Sequence, residues 1–256
     1  MAATSVHPPH RDVPNFNGLA ALYRWMEYAT FGPWLWWCRC TFLAELRQSR
    51  RALVLGDGDG RFTARLLANN AMVRVDAVDG SASMLRSLRR RAGPHASRVA
   101  VHCTDARLWR PASGPYDLVV THFFLDCLTT AEVRSLAERL RCSVAPDALW
   151  LISEFAVPQS RFGRWIARPI IALLYRAFGV LTGLKVRNLP DYFSALCEAG
   201  FTLNARRRWL GGLLVSELWS RMDRTPVEEP RRGFPGHSDE RPGTGDGVTS
   251  GPTRDS

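Results

Sequence analysis

Short apolar runs and helical stretches alternate along the middle of the chain. The runs ALVLG (52–56), VRVDAVD (73–79), RVAVHC (98–103), YDLVVTHF (116–123) and ALWLISEFAV (148–157) are each too short for a buried helix and read as strands. Between them FTARLLANN, SASMLRSLRRRA and AEVRSLAERLRCSV place apolar residues at helical spacing, with Ser81 near the N-cap of the second. Strands that are apolar on nearly every residue belong to a parallel sheet covered on both faces. Further on, the helical LPDYFSALCEAG precedes FTLNARRRWL and GGLLVSELW, two strands joined at Gly211 and Gly212. They predict an antiparallel hairpin closing the sheet.

The two ends follow neither pattern. Residues 1–16 are polar with several prolines, and 223–256 are dense in Gly, Pro, Ser and charge. Such segments bury too little surface to offset their ordering entropy, so both are expected to be disordered around a domain spanning 17–222. Net charge is +10, almost all from arginine, since Lys185 is the sole lysine. The tail carries five arginines against seven acids, which concentrates the positive charge in the domain. Without an RRM, zinc-finger or helix-turn-helix pattern, nucleic acid is not an expected partner. The six cysteines, at 38, 40, 103, 127, 142 and 197, form neither C-x-x-C pairs nor metal spacings. No metal is therefore expected, and the usage suits a reducing compartment. The N-terminus lacks the apolar core of a secretory signal, and the apolar stretch 165–184 is interrupted by Arg168, Pro169 and Arg176. A cytoplasmic location follows as an expectation, with peripheral contact at the inner membrane face left open.

The chemistry concentrates at the strand ends. Gly56, Gly58 and Gly60 follow the first strand, where a parallel sheet binds ligands, and leave the backbone open to close approach. A G-x-G-x-x-G dinucleotide fingerprint would need glycine where Arg61 stands, and no Gly-Lys-Ser/Thr phosphate loop is present. Asp57 and Asp59 disfavour a pyrophosphate and favour a cationic ligand. Asp79 ends the second strand, where a carboxylate accepts ribose hydroxyls, and Asp105 follows the third.

These residues resemble the class I S-adenosylmethionine-dependent methyltransferases of the small-molecule and quinone type. The likeness spans about 17–219, through LVLGDGDGRF, VDAVDGSASML, HCTDARLW, YDLVVTHFFLDCL, LWLISEF and the terminal CEAGF with its two strands. It implies an α/β, Rossmann-like, seven-stranded, mostly parallel sheet with an antiparallel last strand and helices on both faces. It also implies S-adenosylmethionine as cofactor, with Gly56, Gly58 and Gly60 against its methionine portion, Asp79 on the ribose, and Asp105 with Ala106 at the adenine. Asp57, Gly80 and Thr121 complete the expected cofactor-binding set. LAALYRWMEYATFG resembles the cofactor-covering N-terminal helix of this group, and its Tyr23 and Tyr28 line either the cofactor mouth or the core. One departure stands out: the family places an acid two residues before the first glycine, and this chain has Val54. Asp57 or Asp59 is the candidate replacement. A non-catalytic relative and, less favoured by the glycine spacing, an NAD(P)-dependent oxidoreductase remain alternatives.

An activated methyl requires a base only when the acceptor must lose a proton. His122 and Asp126 are candidates, sharing a face if their segment is helical, and Glu154 is a third at the end of the fifth strand. Each has a plain structural reading as core residue or helix cap. The insert 161–184 is expected to form a helical lid, with Arg164, Arg168 and Arg176 on one stripe and Ile170, Leu173, Leu174, Phe178 and Leu181 elsewhere. Its apolar face points to a small, lipophilic acceptor, and its basic stripe to a membrane surface.

Overall fold

The computed structural model describes residues 31–110, 114–158 and 189–221. The expectations for the disordered ends, the N-terminal helix with Tyr23 and Tyr28, and the lid 161–184 fall outside the described residues, apart from Phe31 and Gly32. Helices are α1 (Trp34–Cys40), α2 (Arg61–Asn69), α3 (Ala82–Ala92), α4 (Thr130–Arg141) and α5 (Tyr192–Glu198). Strands are β1 (Arg51–Leu55), β2 (Arg74–Asp79), β3 (Val99–Cys103), β4 (Tyr116–His122), β5 (Val144–Phe155), β6 (Phe201–Trp209) and β7 (Leu214–Arg221). They form one seven-stranded sheet in the order β3-β2-β1-β4-β5-β7-β6. β1 to β5 are parallel, and β7 runs antiparallel between β5 and β6. This is the α/β architecture expected from the sequence.

Two elements differ from expectation. β5 begins at Val144, because Val144 pairs with Tyr116 before an irregularity that spans Pro146. α1 is additional, its apolar WLWW run concealing a helical period.

The sheet separates two cores, as its alternating side chains require. Leu53, Leu55, Val119, Trp150, Ile152 and Trp219 face α4 and α5. Ala52, Val54, Val120, Leu151 and Leu218 face α2 and α3, where Phe62, Leu66, Leu85 and Leu88 meet them. Ser81 caps α3 by accepting from the Met84 N–H, and Thr129 caps α4 in a reciprocal box with Glu132. The carboxyl ends of β1, β2, β4 and β5 are thereby held on a rigid frame. Among the described residues no helix is long and apolar enough to cross a membrane.

Candidate active site

The loop from β1 to α2 takes left-handed backbone at Gly56, Gly58 and Gly60. The three glycines are needed for different reasons. A Cβ at Gly56 would lie 2.5 Å from the Phe124 ring, and one at Gly60 would lie 2.6 Å from the Leu88 backbone. A Cβ at Gly58 would meet no described residue within 4 Å. The outer glycines seat the loop on its neighbours, and the middle one leaves open space.

The acids of the loop separate in the same way. Asp59 is held by Arg91 at 2.8 Å and Arg61 at 3.3 Å. Asp57 Oδ2 accepts from the Thr63 N–H at 2.9 Å and the Thr63 hydroxyl at 2.7 Å, a cap on the first turn of α2. Its Oδ1 has no hydrogen bond among the described residues. Burial raises the Asp57 pKa, opposed by the Thr63 bonds and the nearby Arg39 charge. Val54 is fully packed with Phe62 and Leu66, so the position where the family carries an acid is part of the core here.

At the end of β2, Asp79 accepts from the Ser81 N–H at 2.8 Å and from the Gly58 N–H. Burial pushes its pKa up to about 6, these bonds oppose the shift, and the charge of Asp57 adds to it. Gly80 beside it is exposed. After β3, Asp105 makes a two-oxygen contact with Arg107, whose guanidinium continues to Glu132 in the cap of α4. Burial would raise the Asp105 pKa, but the bonds from the Arg107 side chain and backbone outweigh it and hold it low. Ala106 packs in the α4-side core. Thr121 lies within β4, its hydroxyl accepting from the Trp150 indole at 3.0 Å.

The segment after β4 is not a helix, so the condition for His122 and Asp126 to share a helical face fails. His122 ends the strand, Phe123 adopts φ +52°, and Leu125–Cys127 form a single 3₁₀ turn. His122 is buried edge-on to Phe62, ring centroids 4.4 Å apart, and neither ring nitrogen has a hydrogen-bond partner among the described residues. Burial first, then the Arg39 charge, keeps its imidazole well below the usual range and therefore neutral. On the other face Glu154 Oε1 accepts the N–H groups of Phe124 and Leu125 at 3.1 and 2.8 Å, while its buried Oε2 has no partner among the described residues. Burial, then repulsion from Asp126, raises Glu154 well above the ordinary carboxylate range, and burial lifts Asp126 to about 6.

Two participants escape a sequence reading. Arg39 of α1 sits over the Phe123 ring at 5.2 Å and within electrostatic reach of Asp57 and His122. Phe124 closes on Gly56. Only the fold brings these to the glycine loop. Arg39 lacks any motif, and its one sequence signal is a lone cation at the end of an apolar helix.

Residues 52–147, from β1 into β5, match the family model of a methyltransferase domain. That stretch, more than a third of the chain, is similar to a methyltransferase domain. A search of the curated proteins gave no match. Among solved structures, the S-adenosylmethionine-dependent methyltransferase SibL is 22% identical with a TM-score of 0.60, over 84% of this chain and 64% of that one. A putative O-methyltransferase from Nostoc punctiforme is 18% identical with a TM-score of 0.61, over 85% of this chain and 64% of its own. The N-methyltransferase NodS from Bradyrhizobium japonicum, solved with S-adenosyl-L-homocysteine, is 17% identical with a TM-score of 0.52, over 72% of this chain and 85% of its own. These likenesses establish the methyltransferase fold. The chain spans less than two thirds of the length of the first two.

Proposed function

We propose that the chain binds S-adenosylmethionine at the carboxyl ends of β1 to β4 and transfers its methyl group to a small molecule. The observation that carries the reading is the open, left-handed Gly58 whose N–H meets Asp79. Side chains are absent at the point where a ligand must touch backbone, and a carboxylate stands beside it for a ribose. Around that point lie Asp57, Asp79, Asp126 and Glu154, all raised in pKa chiefly by burial. Buried carboxylates that repel one another are relieved by a cation. A sulfonium supplies that cation, and a nicotinamide dinucleotide, with its pyrophosphate, brings two negative charges. When bound, S-adenosylmethionine presents a methyl group already activated for displacement.

The protein's own part is to hold and to desolvate. Asp79 takes the ribose hydroxyls, Gly80 leaves room next to it, and Gly56, Gly58 and Gly60 shape the floor under the methionine end. Asp57 Oδ1 faces the positive charge, taking the role that the family gives to the acid absent at Val54. Asp59 is committed to Arg91 and takes no part. Asp105 and Ala106 border the adenine, and Thr121 fixes the end of β4 through Trp150. Of the three candidates for proton transfer, Asp126 and Glu154 form the pair with the right chemistry. Burial lifts Asp126 to about 6, and burial followed by repulsion from Asp126 raises Glu154, so the pair holds protons toward neutral pH, where a base for a hydroxyl or amine works best. Neutral His122, with a depressed pKa, is a weak base and serves as packing against Phe62. The acceptor is a small molecule with an apolar body. The lid 161–184, from which a lipophilic acceptor is expected, lies outside the described residues.

Asp57→Asn keeps an acceptor oxygen for Thr63, removes the charge and turns the other oxygen into an amide donor. Its affinity for S-adenosylmethionine is expected to fall roughly tenfold, the worth of one charge-assisted contact, with little change for neutral-sulfur S-adenosylhomocysteine. Calorimetry on both ligands checks this. Equal losses would take Asp57 away from the sulfonium.

A further inference from the structure

A cavity of about 290 Å³ lies beyond the end of β5, lined by Pro158, Tyr192, Arg206, Arg208, Val215 and Glu217 among others. Its place follows from the sheet register. Glu154 of β5 pairs with Val215 of β7, which pairs with Arg208 of β6. Ile152, Glu217 and Arg206 form the row below. Directly paired residues present side chains to the same face, so Glu154, Val215 and Arg208 stand on one side of the sheet in a line. At about 4.8 Å per strand, Arg208 starts about 10 Å from Glu154.

The charges in the cavity are not equivalent. Glu217 is 1% exposed and receives Arg206 at 2.5 Å and the Trp219 indole at 2.8 Å, with the Tyr192 hydroxyl also bonded to it. Arg206 is further stacked over Phe193, its guanidinium carbon 5.4 Å from the ring centroid. That network is internally neutral and fixed. Arg208 has no ion pair or hydrogen bond with any described residue, and Gly211 and Gly212 beside it present no side chains. A Cβ at Gly211 would meet no described residue within 4 Å.

We propose that this cavity is the acceptor subsite and that Arg208 receives an anionic group of the acceptor, a carboxylate, at the end remote from the methylated atom. The proposal rests on the methyltransferase reading for which end reacts. The acceptor lies along the row from Glu154 to Arg208, its nucleophilic hydroxyl or amine near Glu154 and its carboxylate on the guanidinium. The fixed Arg206–Glu217–Tyr192 network forms a polar wall, and Val215 with Pro158 supplies apolar contact for the body between the ends. A planar hydroxyaryl acid has this shape and charge distribution.

The probes are 4-hydroxycinnamate and its amide, 4-hydroxycinnamamide, which differ in charge and share one skeleton. Ligand-observed NMR titrations use the full chain, alone and with S-adenosylhomocysteine. The acid is expected to bind at least about tenfold more tightly than the amide. Arg208→Gln should erase that preference and Arg208→Lys restore part of it, with melting temperature and S-adenosylhomocysteine affinity unchanged, since Arg208 is exposed and outside the cofactor loop. Equal binding of acid and amide, binding of neither, or an undiminished preference in Arg208→Gln would overturn the proposal. A preference that persists where S-adenosylhomocysteine does not bind would keep the subsite and reject the cofactor reading instead.

Discussion

Gly60→Ala is expected to destabilise the protein by about 2–5 kcal/mol, the largest effect of any small substitution near the glycine loop. Two independent costs add. Gly60 holds φ +79° and ψ 26° as the residue before α2, a left-handed conformation that costs an L-residue about 1–2 kcal/mol. The new Cβ would also stand 2.6 Å from the Leu88 backbone, which belongs to α3 and cannot swing aside as a side-chain tip can. Relief requires α2 and α3 to part, at an overpacking cost of about 1–3 kcal/mol. Chemical denaturation of the two proteins measures the difference. Gly58→Ala is the informative control, because it carries the backbone cost alone, its Cβ meeting nothing. Equal stability of Gly58→Ala and Gly60→Ala would mean that the packing of α2 on α3 does not depend on Gly60.

Asp79→Ala is expected to weaken S-adenosylmethionine binding by about 1.5–3 kcal/mol, roughly ten- to hundredfold, through the lost charge-assisted bonds to ribose. The pH dependence gives a second handle. Burial lifts the Asp79 carboxyl to about 6, above the ordinary value of 3.8. Wild-type affinity should therefore decline as pH falls through 6, as the carboxylate that accepts the ribose becomes protonated. For stability the sign is opposite. A carboxyl raised in the folded state holds its proton more firmly than in the unfolded chain, so its contribution to stability falls as pH rises from about 4 to above 6. At neutral pH the buried Asp79 carboxylate therefore weakens the free protein. Calorimetric titrations at several pH values test both statements. An Asp79→Ala protein with undiminished affinity, or a wild-type affinity that is flat across pH 5 to 7.5, would remove Asp79 from the site.

The strands were legible because a parallel sheet buried on both faces demands continuous apolar runs, and β1, β2 and β4 supply them. The apolar run of β5 starts at Ala148, yet the strand begins four residues earlier, where Val144 pairs with Tyr116. The acids of GDGDG could not be told apart by position. What separates Asp59 from Asp57 is Arg91, thirty-two residues away and brought back by the packing of α3. The same holds for Arg208, Glu217 and Arg206. Their alternation along β6 and β7 is visible in sequence, but their line-up with Glu154 depends on register across three strands. His122 and Asp126 illustrate the converse. Four-residue spacing suggested a shared face, and the strand end followed by a 3₁₀ turn removed the helix that would have made it so.

The central claim is that the acid-rich glycine loop holds a sulfonium nucleoside. Parallel calorimetric titration of the full chain with S-adenosylmethionine and with NADH tests it most directly. Saturable one-to-one binding of S-adenosylmethionine and no binding of NADH are expected, because the pyrophosphate of NADH would lie against the glycine loop and its Asp57. Binding of NADH, or a flat titration with S-adenosylmethionine, would contradict it.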